Sequence, residues 1–292
     1  MIPAHAVVSR VQRDLTLSAV LKVALGVAAA VAILSPSALG NIANHSVLLL
    51  GVGVVWLLLS YRSIKGSRLA ADAPSLIAAG RYDAAERQID QALSSFSLFR
   101  TTKLLGMHHL ATLRHAQRRW NEAALLCRAL VRQRLGALAP LARQSRLILA
   151  DSLLEMGDAR GAHEAVVPLY QERLTLGEAL QLLSVNLDYQ ARVGDWRQMT
   201  ARIETKAQMA ELMPAAQAAR AQALLALAAK RVGRDDWTSW LRRRVELLTD
   251  VQELCVRRPM LWELWSADDE TRATGGDVKR EDVDVKREDV KT

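Results

Sequence analysis

Cysteine, aromatic residues and long basic runs are scarce in this chain of 292 residues, and each scarcity excludes a class of protein. Two cysteines, Cys127 and Cys255, are too few for a disulfide framework, and both lie in apolar helical patterns, so we expect buried free thiols. Aromatic residues make up 4% of the chain, and no basic run is longer than the three arginines at 242–244. The aromatic–basic interleaving of single-strand nucleic-acid binders is therefore missing, and we do not expect nucleic acid as a partner.

Sequence motifs of enzymes and metal sites are also lacking. The chain contains no Walker A loop, no GxSxG elbow and no strand-like alternation. His163 and Glu164 begin an HExxH motif, but Val167 stands where the second histidine belongs. A histidine group in one helical stretch has no carboxylate cluster beside it in the sequence, so we expect solvated or capping side chains at His108, His109 and His115. The sequence therefore predicts no enzyme, no cofactor and no metal site.

Charge is absent from 39 consecutive residues, 23–61. A helix that crosses a bilayer needs about 20 apolar residues, so this stretch predicts two short spans, VALGVAAAVAIL and VLLLGVGVVWLLLSY. The turn residues of SPSALGNIANHS separate them, which predicts a transmembrane helical hairpin over 22–61. The preceding apolar side chains fall near one helical face and predict a segment that lies in the membrane interface over 1–21: Val7, Val8, Val11, Leu15 and Leu21.

Basic residues flank the uncharged stretch on both sides: Lys22, Arg62, Lys65 and Arg68. Because the connecting loop carries none, the positive-inside rule places both termini and the rest of the chain in the cytoplasm, at a bacterial inner membrane. Two alternatives stay open, a signal peptide that ends at 38–40 and a re-entrant hairpin that does not cross the bilayer. Small residues predict that the two spans pack closely on each other: Gly26, Gly51 and Gly53.

One short turn recurs five times in the rest of the chain, in AAGRYDAAE, AQRRWNEAA, LEMGDARGA, ARVGDWRQM and AKRVGRDDW. The turn residues stand 38, 39, 37 and 39 residues apart: Gly80, Arg118, Gly157, Gly194 and Gly233. A period of that length between apolar-periodic stretches predicts an array of helix–turn–helix repeats. Mostly small residues stand seven positions before and five positions after each turn residue, as the close approach of two helices requires.

This pattern resembles the tetratricopeptide repeat family, most closely in LILADSLLEMGDARGAHEAV and LIAAGRYDAAERQIDQAL. The family also places an aromatic residue after the turn, as Tyr82, Trp120 and Trp196 do here. The spacing is longer than the family's period of about 34 residues, and Arg118 replaces glycine at the second turn. The resemblance implies an all-α fold, with an α-solenoid of about five repeats and C-terminal capping helices over 62–266, after the membrane hairpin.

Repeat arrays of this kind bind other proteins on the face of the first helix of each pair. Three arginines fall on predicted first helices and are candidates for pairing with a partner's carboxylates, or else for solvated surface: Arg114, Arg146 and Arg220. Trp262 and Trp265 are candidates for a capping helix or for an exposed partner anchor. Residues 267–292 repeat DVKREDV and predict a disordered, charged tail.

Together these features predict a membrane-anchored protein–protein interaction scaffold, held in lipid by two spans and bound to membrane-associated proteins. Two alternatives remain open. The chain could be a stoichiometric structural or assembly subunit whose spans pack against other subunits of a membrane complex. It could also be a membrane-linked regulator of an envelope or biosynthetic enzyme.

Overall fold

The computed structural model describes residues 3–34, 42–133 and 138–266, without the side chains of 32–34, 42–48, 65–67 and 69–70. The predicted tail over 267–292 and the 38–40 cleavage site of the signal-peptide alternative lie outside the described residues. The described chain consists of helices joined by turns and short connections and contains no strand, so the predicted all-α class is confirmed.

Fourteen α-helices are present in the described residues: α1 (Ala4–Leu34), α2 (Ile42–Ala71), α3 (Ala73–Ala78), α4 (Tyr82–Ser94), α5 (Arg100–Ala116), α6 (Trp120–Val131), α7 (Ala139–Glu155), α8 (Ala159–Val166), α9 (Leu176–Val193), α10 (Trp196–Thr200), α11 (Ile203–Glu211), α12 (Ala215–Val232), α13 (Asp235–Leu248) and α14 (Val251–Arg257). Short 3₁₀ helices follow α8 and α14, at Val167–Gln171 and Pro259–Trp262. The chain divides into a first unit, Met1–Tyr189, and a second unit, Gln190–Thr292.

All five predicted turn residues adopt the left-handed backbone conformation, with φ of 71° at Gly80, 60° at Arg118, 84° at Gly157, 79° at Gly194 and 77° at Gly233. They separate five helix pairs, α3/α4, α5/α6, α7/α8, α9/α10 and α12/α13. At the third turn the Gly157 amide donates to the Leu154 carbonyl at 2.9 Å, and the next amide donates to the Leu153 carbonyl at 2.9 Å. This bonding satisfies the last carbonyls of a helix and depends on a left-handed residue.

The positions around each turn are mostly buried, and the two helices contact each other in the pairs α3/α4, α5/α6, α7/α8 and α12/α13. Seven residues before the turn, every side chain is 0% exposed: Ala73, Ala111, Ala150, Leu187 and Ala226. Five residues after the turn, four side chains are 0% exposed: Ala85, Ala123, Ala162 and Met199. The fifth, Thr238, is half-buried. The small residues that the sequence places there therefore lie where the packed helices approach most closely.

The N-terminal half of α1 packs on the core of the first unit. Three of its side chains are at most 2% exposed and belong to the same apolar cluster as residues of α5 and α6: Ala4, Val7 and Val11. The Asp14 carboxylate lies 2.7 Å from the Lys103 ammonium, and the Ser18 hydroxyl donates to the Leu98 carbonyl at 3.0 Å. One face of this stretch therefore packs on the first unit, while Leu17 and Val20 are 52% and 66% exposed, and the interfacial segment over 1–21 stays a prediction.

The second unit is built around α12, which contacts α10, α11 and α13. The alanine and leucine side chains of α12 are buried on several of its sides. The 3₁₀ helix at Pro259–Trp262 also contacts α12, and Leu261 and Leu264 are 0% and 1% exposed. The predicted buried thiols are confirmed, since Cys127 in the first unit and Cys255 in the second are both buried and free. Burial raises the pKa of both thiols, which keeps them protonated and unreactive.

Candidate functional site

Arg114, a predicted partner contact, is 0% exposed and is used inside the chain. Its Nη2 lies 2.8 Å from the Glu86 carboxylate, and its Nε lies 3.0 Å from the Glu122 carboxylate. Its Nη1 donates to the Gln117 side chain at 2.7 Å. A guanidinium so enclosed cannot meet a partner, so the predicted partner role of Arg114 is wrong. The helix pattern placed Arg114 on α5 but could not show which face of α5 is covered.

The other predicted contacts keep some exposure. Arg146 on α7 and Arg220 on α12 are half-buried. Trp262 is 45% exposed, while its neighbours Leu261 and Leu264 are buried. The half-buried Trp265 donates from its indole nitrogen to the Glu246 carboxylate at 2.9 Å. This last segment therefore caps the core with its leucines and leaves one of its two tryptophans at the surface, so the partner role of these residues stays a prediction.

Three carboxylates meet on the first helices of the third and fourth pairs, and we call this group the acidic cluster: Asp151, Glu155 and Asp188. One oxygen from each residue lies within 4.8 Å of the others. Asp151 and Asp188 each stand six residues before the turn glycine of their pair, so the repeat itself places them at equivalent positions on neighbouring helices. Glu155 lies one helical turn beyond Asp151 on the same face of α7.

His115 borders the acidic cluster. Its Nε2 lies 2.7 Å from Asp151 Oδ2, and its ring meets Trp120 edge-on with the centroids 5.0 Å apart. The side chains of His115 and Asp151 are 28% and 22% exposed, whereas Asp188 is only 2% exposed.

The remaining histidines of α5 are buried, and the prediction of solvated or capping side chains is wrong for them. His108 and His109 are 6% and 8% exposed. His108 Nδ1 lies 3.1 Å from the Ser145 hydroxyl. Burial, followed by repulsion from His109, lowers the pKa of His108 from 6.5 to about 4, against the opposing effect of a hydrogen bond with Gln144. His108 is therefore a neutral core residue near pH 7.

The arrangement can bind a cationic group. Carboxylate oxygens make their strongest hydrogen bonds to ammonium and guanidinium groups, so Asp151 and Glu155 suit a lysine or arginine of a partner. His163 of the partial HExxH motif stacks on Tyr189, with centroids 4.9 Å apart and 15° between the rings. The acidic cluster was not predicted from the sequence, although Asp151 and Asp188 share a position in the repeat, six residues before the turn glycine.

Comparison with known proteins finds no protein family, no curated protein and no solved structure that matches the chain. The likeness to tetratricopeptide repeats is therefore a resemblance of sequence pattern, and no binding residue is transferred from that family.

Proposed function

We propose that this chain is a membrane-anchored interaction scaffold that presents a tetratricopeptide-like array at the cytoplasmic face of a bacterial inner membrane. One observation carries the proposal, the division of α1 into two halves. One face of the N-terminal half, with Ala4, Val7 and Val11, is buried against α5 and α6, whereas the C-terminal half exposes apolar side chains. A single unbroken helix of this kind would connect the array to the bilayer without a flexible linker.

The apolar surface of α1 and α2 supports the anchor. By its length and composition, α1 is apolar enough over Ala4–Val31 to cross a bilayer, and α2 carries a shorter apolar stretch, Leu49–Ile64. Among the described side chains of the two helices, those that are apolar and more than half exposed include Leu17, Val20, Val23, Val27, Val31, Leu50, Leu57 and Leu58. α1 and α2 also contact each other, which supports a hairpin of two spans.

Exposed basic residues support the cytoplasmic orientation. Lys22, Arg62 and Arg68 are exposed, while the Lys65 side chain lies outside the described atoms. The docked N-terminus of α1 and the start of the array at α3 both lie in the first unit, so both ends of the hairpin are expected on the same side of the membrane.

The acidic cluster supports a protein partner with basic side chains. Its two half-buried members, Asp151 and Glu155, lie on a first helix, the helix that lines the binding face of repeat arrays. Anchoring raises the local concentration of partners near the membrane, so weak contacts to several helix pairs can hold an assembly there.

A second candidate, a subunit of a larger membrane complex, is favoured by the glycines of α1 and α2. We expected Gly26, Gly51 and Gly53 to pack the two spans on each other. A side chain added at any of them would instead meet no other atom within 4 Å. Together with the exposed valines and leucines beside them, these open positions leave room for another subunit's span to approach closely.

The membrane topology is tested with reporters fused at the C-terminus of the full chain. We expect an enzyme that works only in the cytoplasm to be active there, and alkaline phosphatase, which needs export, to be inactive. Active alkaline phosphatase would contradict the cytoplasmic array, and release of the chain by alkaline carbonate would contradict the anchor.

The partner is tested by gentle solubilisation and capture through a tag, comparing three variants. The scaffold predicts that D151N/E155Q loses the captured proteins and that the exposed E204Q, the matched control, keeps them. The subunit candidate predicts the opposite pattern, in which D151N/E155Q keeps a fixed-ratio complex and G26L/G51L/G53L loses it. If all variants capture the same proteins, neither surface is the binding site.

A further inference from the structure

A polar cleft of about 400 Å³ lies on the second unit, and we call it the Trp–Arg cleft: Gly194, Asp195, Trp196, Arg197, Arg231 and Val232. Its volume falls within the range of ligand sites in proteins, about 300–1,000 Å³. The acidic cluster and the membrane helices belong to other parts of the chain, so neither accounts for this cleft.

Backbone geometry holds the cleft open. Gly194, with a φ of 79°, ends α9 and turns the chain directly into α10, whose first residue is Trp196. The Asp195 carboxylate, the acidic group of the cleft, accepts a hydrogen bond from the Gln198 amide at 3.2 Å. This bond ties the carboxylate to the first turn of α10. Arg231 and Val232 come from the last turn of α12, so two rigid helix ends form the walls.

Arg231 is held in position before any ligand arrives. Its guanidinium carbon lies 5.7 Å from the centroid of the Trp196 ring, and its Nη2 donates to the Glu263 carboxylate. The Nε and Nη1 donors of Arg231 have no acceptor among the described residues, and the side chain is 49% exposed. A guanidinium fixed by an aromatic face and one carboxylate loses little freedom when it binds a second carboxylate.

Arg197 adds a second cation to the same cleft. It is exposed, and within the described chain its guanidinium makes no hydrogen bond or ion pair. Two guanidiniums that converge on one opening favour an anion, and their planar forks match a carboxylate in two-point contact. The half-buried Trp196 ring and Val232, which is 40% exposed, offer apolar contact to the neighbouring side chain of an extended peptide.

We propose that the Trp–Arg cleft binds an acidic segment of a partner protein, with Arg197 and Arg231 taking the carboxylates. This proposal rests on the proposed scaffold function and names a second surface with the opposite preference to the acidic cluster. The chain would then contact basic side chains through its first unit and acidic side chains through its second.

The test measures the fluorescence anisotropy of a fluorescein-labelled hexaglutamate peptide with the full chain in detergent at low ionic strength. We expect binding of hexaglutamate but not of hexaglutamine. R197Q is expected to weaken binding about tenfold, since it removes one charge-assisted contact. R243Q is the matched control, because Arg243 is an equally exposed arginine of the second unit that lies outside the cleft, and it should change affinity less than about twofold.

Three results would overturn the proposal. Hexaglutamate could fail to bind, or R243Q could weaken binding as much as R197Q, which would mean that overall charge and not the cleft attracts the peptide. A chain ending at Ser266 could instead bind hexaglutamate about tenfold more tightly, which would identify the acidic tail of this chain as the occupant. Partner capture and topology do not use this peptide, so their outcome judges the scaffold separately.

Discussion

The two units use their cationic side chains in opposite ways. In the first unit Arg114 is 0% exposed between the Glu86 and Glu122 carboxylates. Lys103 is 1% exposed, 2.7 Å from the Asp14 carboxylate and 2.6 Å from the Leu93 carbonyl. A buried ion pair of this kind is strongly destabilised when one member is removed, because the remaining charge is buried and has little water to replace its partner.

In the second unit arginines lie over tryptophan rings near the surface. The guanidinium carbons stand 5.7, 5.8, 5.8 and 4.8 Å from the ring centroids in four pairs: Arg231–Trp196, Arg234–Trp237, Arg242–Trp265 and Arg244–Trp240. Contacts of this kind contribute about 0.5–1 kcal/mol at exposed sites. The comparison shows that a count of 31 arginines and 8 lysines says little about energetics, because burial decides the weight of each charge.

The largest expected effect is at the buried network. In R114Q the Glu86 carboxylate loses the guanidinium that pairs with it, while Glu122 keeps its ion pair with Arg119, and we expect the free energy of unfolding of the full chain to fall by about 3–5 kcal/mol. Urea denaturation in detergent, followed by far-ultraviolet circular dichroism, measures the change. The matched surface variant R244Q should cost less than about 1 kcal/mol.

Equal losses in R114Q and R244Q would contradict the contrast between the units. A double variant, R114M/E86Q, gives an independent check, since removal of both charges of this pair should recover most of the stability lost in R114Q and leaves the Arg119–Glu122 pair in place.

The next effect is a dependence on pH that comes from His108. Its pKa is about 4 in the folded chain and 6.5 in its ordinary state, so the unfolded chain binds more protons between these values. The stability that comes from neutral His108 is fully present above pH 6.5. As the pH falls from 6.5 to 4, the free energy of unfolding decreases by about 3 kcal/mol, because the unfolded chain takes up a proton that the buried ring does not. Denaturation at a series of pH values in this window measures it.

H108Q should make the stability loss between pH 6.5 and pH 4 smaller by a comparable amount, since the amide has no proton to gain. The exposed His5 provides the control, and H5Q should leave the profile of the natural chain unchanged. An H108Q profile that is parallel to that of the natural chain would show that His108 does not titrate as a buried group.

The smallest expected effect on the free energy of unfolding comes from the backbone conformation of Arg118. Arg118 is exposed and holds a φ of 60°, a conformation that costs a side-chain-bearing residue about 1–2 kcal/mol. R118G should therefore raise the free energy of unfolding by about 0.5–1 kcal/mol, after allowance for glycine's greater freedom in the unfolded chain. The reciprocal change in the second unit, G233A, should lower it by about 1 kcal/mol. A loss in R118G would mean that the Arg118 side chain contributes to stability.

Local features of the fold were predictable from the residues. The five turns depend on one backbone conformation that glycine favours, and even Arg118 was placed by its spacing from the glycines on either side. The buried small residues at the helix contacts followed from the same spacing, because two helices joined by a tight turn meet at fixed positions.

The candidate sites were less predictable. The acidic cluster joins Asp151 to Asp188 across two helices, and the Trp–Arg cleft joins Trp196 to Arg231 across an intervening helix. Helical periodicity gives the face of each residue relative to its own helix, but it does not say which neighbour covers that face. Arg114 was misplaced for this reason.

The sequence by itself determined the all-helical class, the positions of the turns and the apolar character of the N-terminal region, since each depends on residues close together along the chain. Only the tertiary structure decided which charges are buried, that Val7 and Val11 pack against the array, and which side chains meet at the two candidate binding surfaces. Those outcomes depend on contacts between distant segments, and their energies are set by the exclusion of water once the helices have packed.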